Sequence, residues 1–226
     1  MINGVTIEAC VDSLKSVRSA MEAGADRLEL CDFREPAGVT PSFTLLEEVL
    51  RISSVPVHVL IRPRGGSFVF TGENEVASMV SQVLDVRTAG AAGVAIGALT
   101  TANGVDQSLT GLLVEKAHPM SVTFHRAFDT IPEPSIALEV LVNLRANRVL
   151  TSGSMPNAET GIPGLGRLVR AAGERIGIIA AGGIRGHNVL RIVQETGVRE
   201  VHSRGDIGAI VRALKDGLSA PRPVSS

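Results

Sequence analysis

The feature that most constrains this chain is an alternation between two hydrophobic periods. Short β-prone apolar runs recur at residues 5–10, 27–30, 57–61, 94–97, 148–151, 176–180 and 200–202, and another opens at Val122. Each is followed by a stretch whose apolar residues fall at helical spacing, as in Leu14, Val17 and Met21, or Leu45, Leu46, Val49 and Leu50. Thr40-Pro41 reads as a helix cap followed by proline at the first helical position. Three helix-to-strand junctions echo one another: Ala23-Gly24-Ala25-Asp26-Arg27-Leu28, Ala89-Gly90-Ala91-Ala92-Gly93-Val94 and Thr196-Gly197-Val198-Arg199-Glu200-Val201. Eight strands alternating with eight helices, with no dividing linker, predict a single (β/α)8 TIM barrel over residues 1–219. Residues 220–226 read as a disordered tail. A doubly wound open sheet is the alternative, but no Gly-x-Gly-x-x-Gly follows the first strand.

Composition narrows the function. Apolar residues make up 44% of the 226 positions, enough for a large core, and the formal net charge is −1 without a basic or acidic run. Six Phe are the whole aromatic complement, so neither a nucleic-acid surface nor base stacking is expected. The chain enters its first strand directly after Met1-Ile2-Asn3-Gly4 and has no apolar run long enough to span a bilayer. That reading places it in the cytoplasm, with Cys10 and Cys31 reduced.

In a barrel, the C-terminal strand ends converge on one mouth. The fifth run, Val122-Thr123-Phe124-His125-Arg126-Ala127-Phe128-Asp129, passes from apolar residues into His, Arg and Asp. By the period of two, Thr123 and His125 share a face, as do Glu8 with Cys10, Glu29 with Cys31, His58 with Arg62, and Glu200 with His202. Polar groups inside apolar strands are costly unless paired or functional. A barrel enzyme acting on a small anionic metabolite would use His125 to move a proton, aided by Glu8, Glu29 and Arg62. Arg64, Arg126, Ser152, Gly153, Gly182 and Gly183 would hold its carboxylate or phosphate, with Ser203-Arg204-Gly205 alongside. Lyase or isomerase chemistry fits best, because no Ser or Cys comes with a recognisable base. The structural alternative is that Glu8 and Glu29 pair with arginines such as Arg62 and plug the barrel top. His58 reads as a satisfied lower-layer histidine.

Cys10 and Cys31 end consecutive strands and are placed to be close. Two adjacent thiolates suit a soft ion such as Cu(I), whereas two buried cysteines also pack as small hydrophobes. Spacing alone favours packing. No Cys-x-x-Cys or His-x-x-x-His pattern points to zinc.

Several stretches together resemble the copper homeostasis protein CutC family. They are Ala25-Asp26-Arg27-Leu28-Glu29-Leu30-Cys31, Thr40-Pro41-Ser42, Ile61-Arg62-Pro63-Arg64-Gly65-Gly66, Thr123-Phe124-His125-Arg126-Ala127-Phe128-Asp129, Arg148-Val149-Leu150-Thr151-Ser152-Gly153 and Glu200-Val201-His202. They occur in the family's order across nearly the whole chain. The resemblance implies a TIM barrel, a cytoplasmic location, a homo-oligomer (a dimer in the first instance) and a link to copper handling, with Cys10 and Cys31 as ligands for Cu(I). Two positions depart from the family's pattern. Ser67 stands where an Asp is usual, removing a carboxylate from the rim, and Ala37 stands where a Gly is usual.

Overall fold

Strand register closes the sheet on itself. The computed structural model, described for residues 1–218, contains strands β1 (Thr6–Val11), β2 (Arg27–Leu30), β3 (Val57–Leu60), β4 (Gly93–Ile96), β5 (Ser121–Phe124), β6 (Arg148–Thr151), β7 (Gly177–Ala180) and β8 (Glu200–Ser203). All pair in parallel with their sequence neighbours, and β8 pairs back with β1, so the barrel is complete. The helices are α1 (Leu14–Glu22), α2 (Phe43–Ile52), α3 (Glu73–Thr88), α4 (Gln107–Ala117), α5 (Pro134–Asn143), α6 (Ile162–Ala172), α7 (Val189–Thr196) and α8 (Ile207–Leu218). The alternation expected from the sequence is therefore the observed (β/α)8 barrel. The tail expected over 220–226 lies outside the described residues.

Local chemistry sets the helix starts. Ser13 caps α1 by accepting the Ser16 N–H, and Ser16 reciprocates. The cap of α2 is Ser42, which accepts the Leu45 N–H, and not Thr40. Thr40 is engaged elsewhere: its hydroxyl accepts the Arg62 N–H and donates to Gln82. That bond ties the start of one crossover to the end of β3. The fifth strand stops at Phe124, and Arg126–Thr130 form a 3-10 turn in place of an open loop.

The alternation along each strand separates two environments. Ile7, Leu28, Val59, Val94, Val122 and Val201 belong to the large apolar layer shared with the helices. Fully burying a Leu, Ile or Val contributes about 1.5–3 kcal/mol, so this outer layer can hold the barrel closed. The other face of each strand points into the lumen. There, apolar residues form only two small clusters, one around Cys31, Leu60 and Ala95 and one of Leu150, Ile179 and Ala181.

Candidate active site and thiol pair

The lumen floor is a closed ion network. Register sets Glu8 opposite Arg27 on one side and His202 on the other. Arg27 donates to Glu8 through Nε and to Glu200 through Nη2, the latter at 2.6 Å. Arg148 reaches the same Glu200 carboxylate at 3.0 Å and also bonds Ser121. His58 lies beside this floor with its ring packed on Gly93, where a Cβ would come within 2.6 Å of the imidazole. Its Nδ1 is 3.9 Å from Glu8 and has no hydrogen-bond partner. The expected lower-layer placement holds, but the side chain is not satisfied.

Above the floor, His202 lies between two carboxylates. Its Nδ1 is 2.7 Å from Glu8 Oε1 and its Nε2 is 3.7 Å from Glu29 Oε2. Burial opposes protonation of His202, but Glu29, Cys10 and Glu8 outweigh it and push its pKa well up. Burial also opposes ionisation of Glu8, yet the His202 hydrogen bond and the charge of Arg27 hold its carboxyl far below the usual range. Glu29 goes the other way, its pKa raised by burial and by the charge of Glu8, against the pull of His202. Neighbouring acids thus favour the protonated imidazole of His202, while burial favours the neutral form of Glu29.

Next to Glu29 are the thiols. Cys10 Sγ is 3.3 Å from Cys31 Sγ and 3.4 Å from Glu29 Oε2. The Cys31 hydrogen bond, burial and the Glu29 charge all push the Cys10 thiol well above its ordinary pKa. Both cysteines are free. The Sγ atoms and a Glu29 oxygen lie within 4.8 Å of one another, as do ligand atoms of Glu8, Glu29 and His202, so either trio can converge on one ion.

These groups open into a cavity of about 250 Å³ at the C-terminal strand ends. Its apolar wall comes from Phe33, Leu60, Phe68, Leu150 and Ala181, and its cationic wall from Arg62, Arg126, Arg185 and Arg204. His125 lines it on the far side from the thiols' strands, its ring laid on Gly97 so closely that a Cβ there would fall 2.2 Å from Cε1. His125 Nδ1 accepts the Ala127 N–H at 3.1 Å, which assigns the proton to Nε2, an atom without a partner. Burial, then the Arg62 charge, lower its pKa to about 3, so it stays neutral.

The site residues expected from the sequence divide clearly. Cys10, Glu29, Cys31, Arg62, His125, Arg126, Gly182 and Gly183 all line the cavity. Glu8 sits beneath it in the floor network. Arg62 pairs with neither Glu8 nor Glu29; it donates to the carbonyls of Pro36, Gly38 and Gly66 and stacks on Phe68, bracing two mouth loops. For Glu8 the counter-charge expected of Arg62 comes from Arg27, its register partner on β2, whereas Glu29 lies 3.7 Å from His202. Arg64 is spent outside the cavity, on Glu75, on the Ser67 and Val69 carbonyls and over Phe70. The N–H groups of Ser152 and Gly153 are likewise taken, by Asp129 and by Thr151 Oγ1. Arg27 and Arg148 escaped the sequence reading, although the period of two links Arg27 to Glu29; Glu200 was set on one face with His202 but given no role. Phe33 and Phe68 carried no signal, because loop residues have no periodicity. Ser67 offers only its carbonyl, to Arg64. Ala37 adopts φ +65°, a left-handed conformation that suits the glycine usual there.

A sequence model of the CutC family matches residues 5–207, so it spans every element that carries the site. The chain belongs to the CutC family. A CutC-family protein from Pasteurella multocida is 42% identical over 199 residues, covering 88% of this chain and 81% of that one. The human copper homeostasis protein cutC homolog is 41% identical over 200 residues, covering 88% of this chain and 73% of its own length. A crystal structure of a CutC protein from Streptococcus agalactiae superposes with a TM-score of 0.84 at 32% identity, covering 90% of this chain and 99% of that one. Among the described residues of this CutC-family chain, no helix is long and apolar enough to cross a membrane.

Proposed function

We propose that this CutC-family protein serves copper homeostasis by holding Cu(I) between Cys10 and Cys31. The observation that carries the reading is the 3.3 Å separation of the two sulfurs at the edge of the cavity. Thiolates are the donors a soft monovalent copper ion prefers, and Glu29 is near enough to add a third contact. The ion is cargo, and the chain's part is to supply and shield the sulfurs. Each thiol must lose its proton on binding, and the raised pKa of Cys10 makes uptake favour higher pH. A cytoplasmic setting, where thiols stay reduced, belongs to the same reading, as does a homodimer, which light scattering checks. Anaerobic Cu(I) titration against a competing chelator tests it: the wild type binds one ion tightly, and Cys10→Ser/Cys31→Ser loses that site. Equal affinity in both proteins would sink the proposal.

A second reading is favoured by His202, held between Glu8 and Glu29 beside the cavity. An imidazolium donor next to a carboxylate acceptor is the equipment for moving a proton within a small anionic substrate. Glu29 would take a proton from carbon while His202 gives one to oxygen, an isomerase or lyase step. His125, neutral and donating from Nε2, would then polarise a substrate oxygen and not carry the proton itself. Screening metabolites for turnover, with Glu29→Gln, His202→Gln and His125→Ala as controls, tests this. Activity that survives Glu29→Gln and His202→Gln would exclude it.

A further inference from the structure

We infer that the mouth contains a seat for a phosphate monoester, built by Arg126, Arg185, Gly182 and Gly183. The seat deepens the acid–base reading and rests on it for the seat's purpose, although binding itself is measured without turnover.

The argument begins with charge. Four guanidinium groups line the cavity. Arg126 is paired with Asp129 at 2.7 Å, and Arg204 lies 3.8 Å from Asp12 while stacking on Phe33. Among the described residues, Arg62 and Arg185 have no carboxylate partner. Arg62 is spent on loop carbonyls, but Arg185 meets only the Ile184 carbonyl and, at 3.4 Å, the Ser203 hydroxyl. A concave site with surplus positive charge and apolar walls recruits an anion. Among the described residues the sole carboxylate on the cavity wall is Glu29, on the side of the thiols.

The backbone beside these arginines is shaped for oxygen. Gly182 and Gly183 follow β7 with φ of +91° and +77°, a left-handed backbone that glycine adopts without steric cost and that turns the chain across the cavity rim. Among the described residues neither N–H has an acceptor, whereas their carbonyls are used by Ala158 and Asn188. The Arg126 guanidinium lies against Gly182, 3.3 Å from where a Cβ would be, so any side chain at this position would crowd it. Gly182 is half-buried and Gly183 exposed, whereas two buried donors on the cavity wall, His125 Nε2 and Arg62 Nε, lack partners. Buried polar groups are usually satisfied, so unused donors collected around one cavity point to an oxygen-rich ligand.

Donor number selects the anion. A carboxylate has two oxygens and is served by one guanidinium fork. Two guanidiniums and two free N–H groups match the three terminal oxygens of a phosphate monoester. The cavity, about 250 Å³, has room for a phosphorylated metabolite of a few carbons, since a water takes about 30 Å³. With the phosphate at the end of β7, the carbon chain would extend along Leu150 and Ala181 toward Glu29 and His202. The seat and the thiol pair are therefore separate parts of one mouth.

Calorimetric titration with inorganic phosphate, glycerol 3-phosphate and acetate tests the seat. Saturable binding of both phosphates, with acetate weaker, is expected in the wild type. Arg185→Gln should weaken phosphate binding at least about tenfold, Arg185→Lys should weaken it less, and Arg175→Gln, an exposed change at an arginine paired with Glu139 away from the cavity, should leave it unchanged. Thermal unfolding of each variant confirms that it is folded. No saturable phosphate binding, acetate binding as tightly as phosphate, or full affinity in Arg185→Gln would overturn the inference. Phosphate binding that survives in a protein without turnover would remove the acid–base reading and leave the seat standing.

Discussion

Arg27 and Arg185 are the same residue type in the same barrel, and their surroundings could hardly differ more. Arg27 is 5% exposed and lies between two carboxylates in the lumen floor. Arg185, at the mouth, meets a carbonyl and a hydroxyl and, among the described residues, no acid. In the floor, each buried charge is matched by another, because an unmatched one there would cost several kcal/mol. At the mouth, water can solvate an unmatched cation until a ligand replaces it. Between these two arginines, then, full pairing goes with a place in the floor and a missing acid with a place at the open mouth.

The comparison breaks most directly at Arg27. Arg27→Ala leaves Glu8 and Glu200 facing each other without their shared cation, and urea unfolding should register a loss of about 3–5 kcal/mol. Should the loss be below about 1 kcal/mol, the floor network would not be what holds this end of the barrel together.

Acid probes the buried histidines of the floor and of the cavity wall. His58 is lowered to about 4, by burial first, with Glu8 opposing; His125 is lowered to about 3. Unfolded histidine titrates near 6.5. Below that pH the unfolded chain takes up protons that the folded chain refuses, so stability falls as pH drops toward 4. Each of these histidines adds a slope of up to about 1.4 kcal/mol per pH unit. His202, with its raised pKa, has the opposite sign: its contribution is complete below about 6.5 and is lost as pH rises through its folded value. Urea midpoints between pH 7 and 5 should fall, and His58→Gln should flatten the fall.

Ala37 gives a smaller effect, at the mouth. With φ +65°, Ala37→Gly relieves left-handed strain and should raise stability by about 1 kcal/mol, read as a higher thermal midpoint. Smallest of all is Arg185→Gln, which should change stability by less than about 0.5 kcal/mol while still costing phosphate affinity. A large loss of stability there would mean that the mouth arginine is structural after all.

The (β/α)8 barrel was legible in the sequence because two hydrophobic periods alternate eight times, and each period reports only local geometry. The period of two also placed Glu8, Cys10, Glu29, Cys31 and His125 on lumen faces, and the CutC motifs identified the family. Which side chains meet was settled only by the closed barrel. Strand register gave Glu8 to Arg27 and His202, and left Arg62 to brace loops. Backbone curvature after β7 freed two N–H groups, while Asp129 in the turn after β5 and Thr151 at the end of β6 consumed those of Ser152 and Gly153. Side-chain direction follows from local alternation, whereas partnership depends on stagger between distant strands and on loop paths, and no periodicity within the chain encodes either.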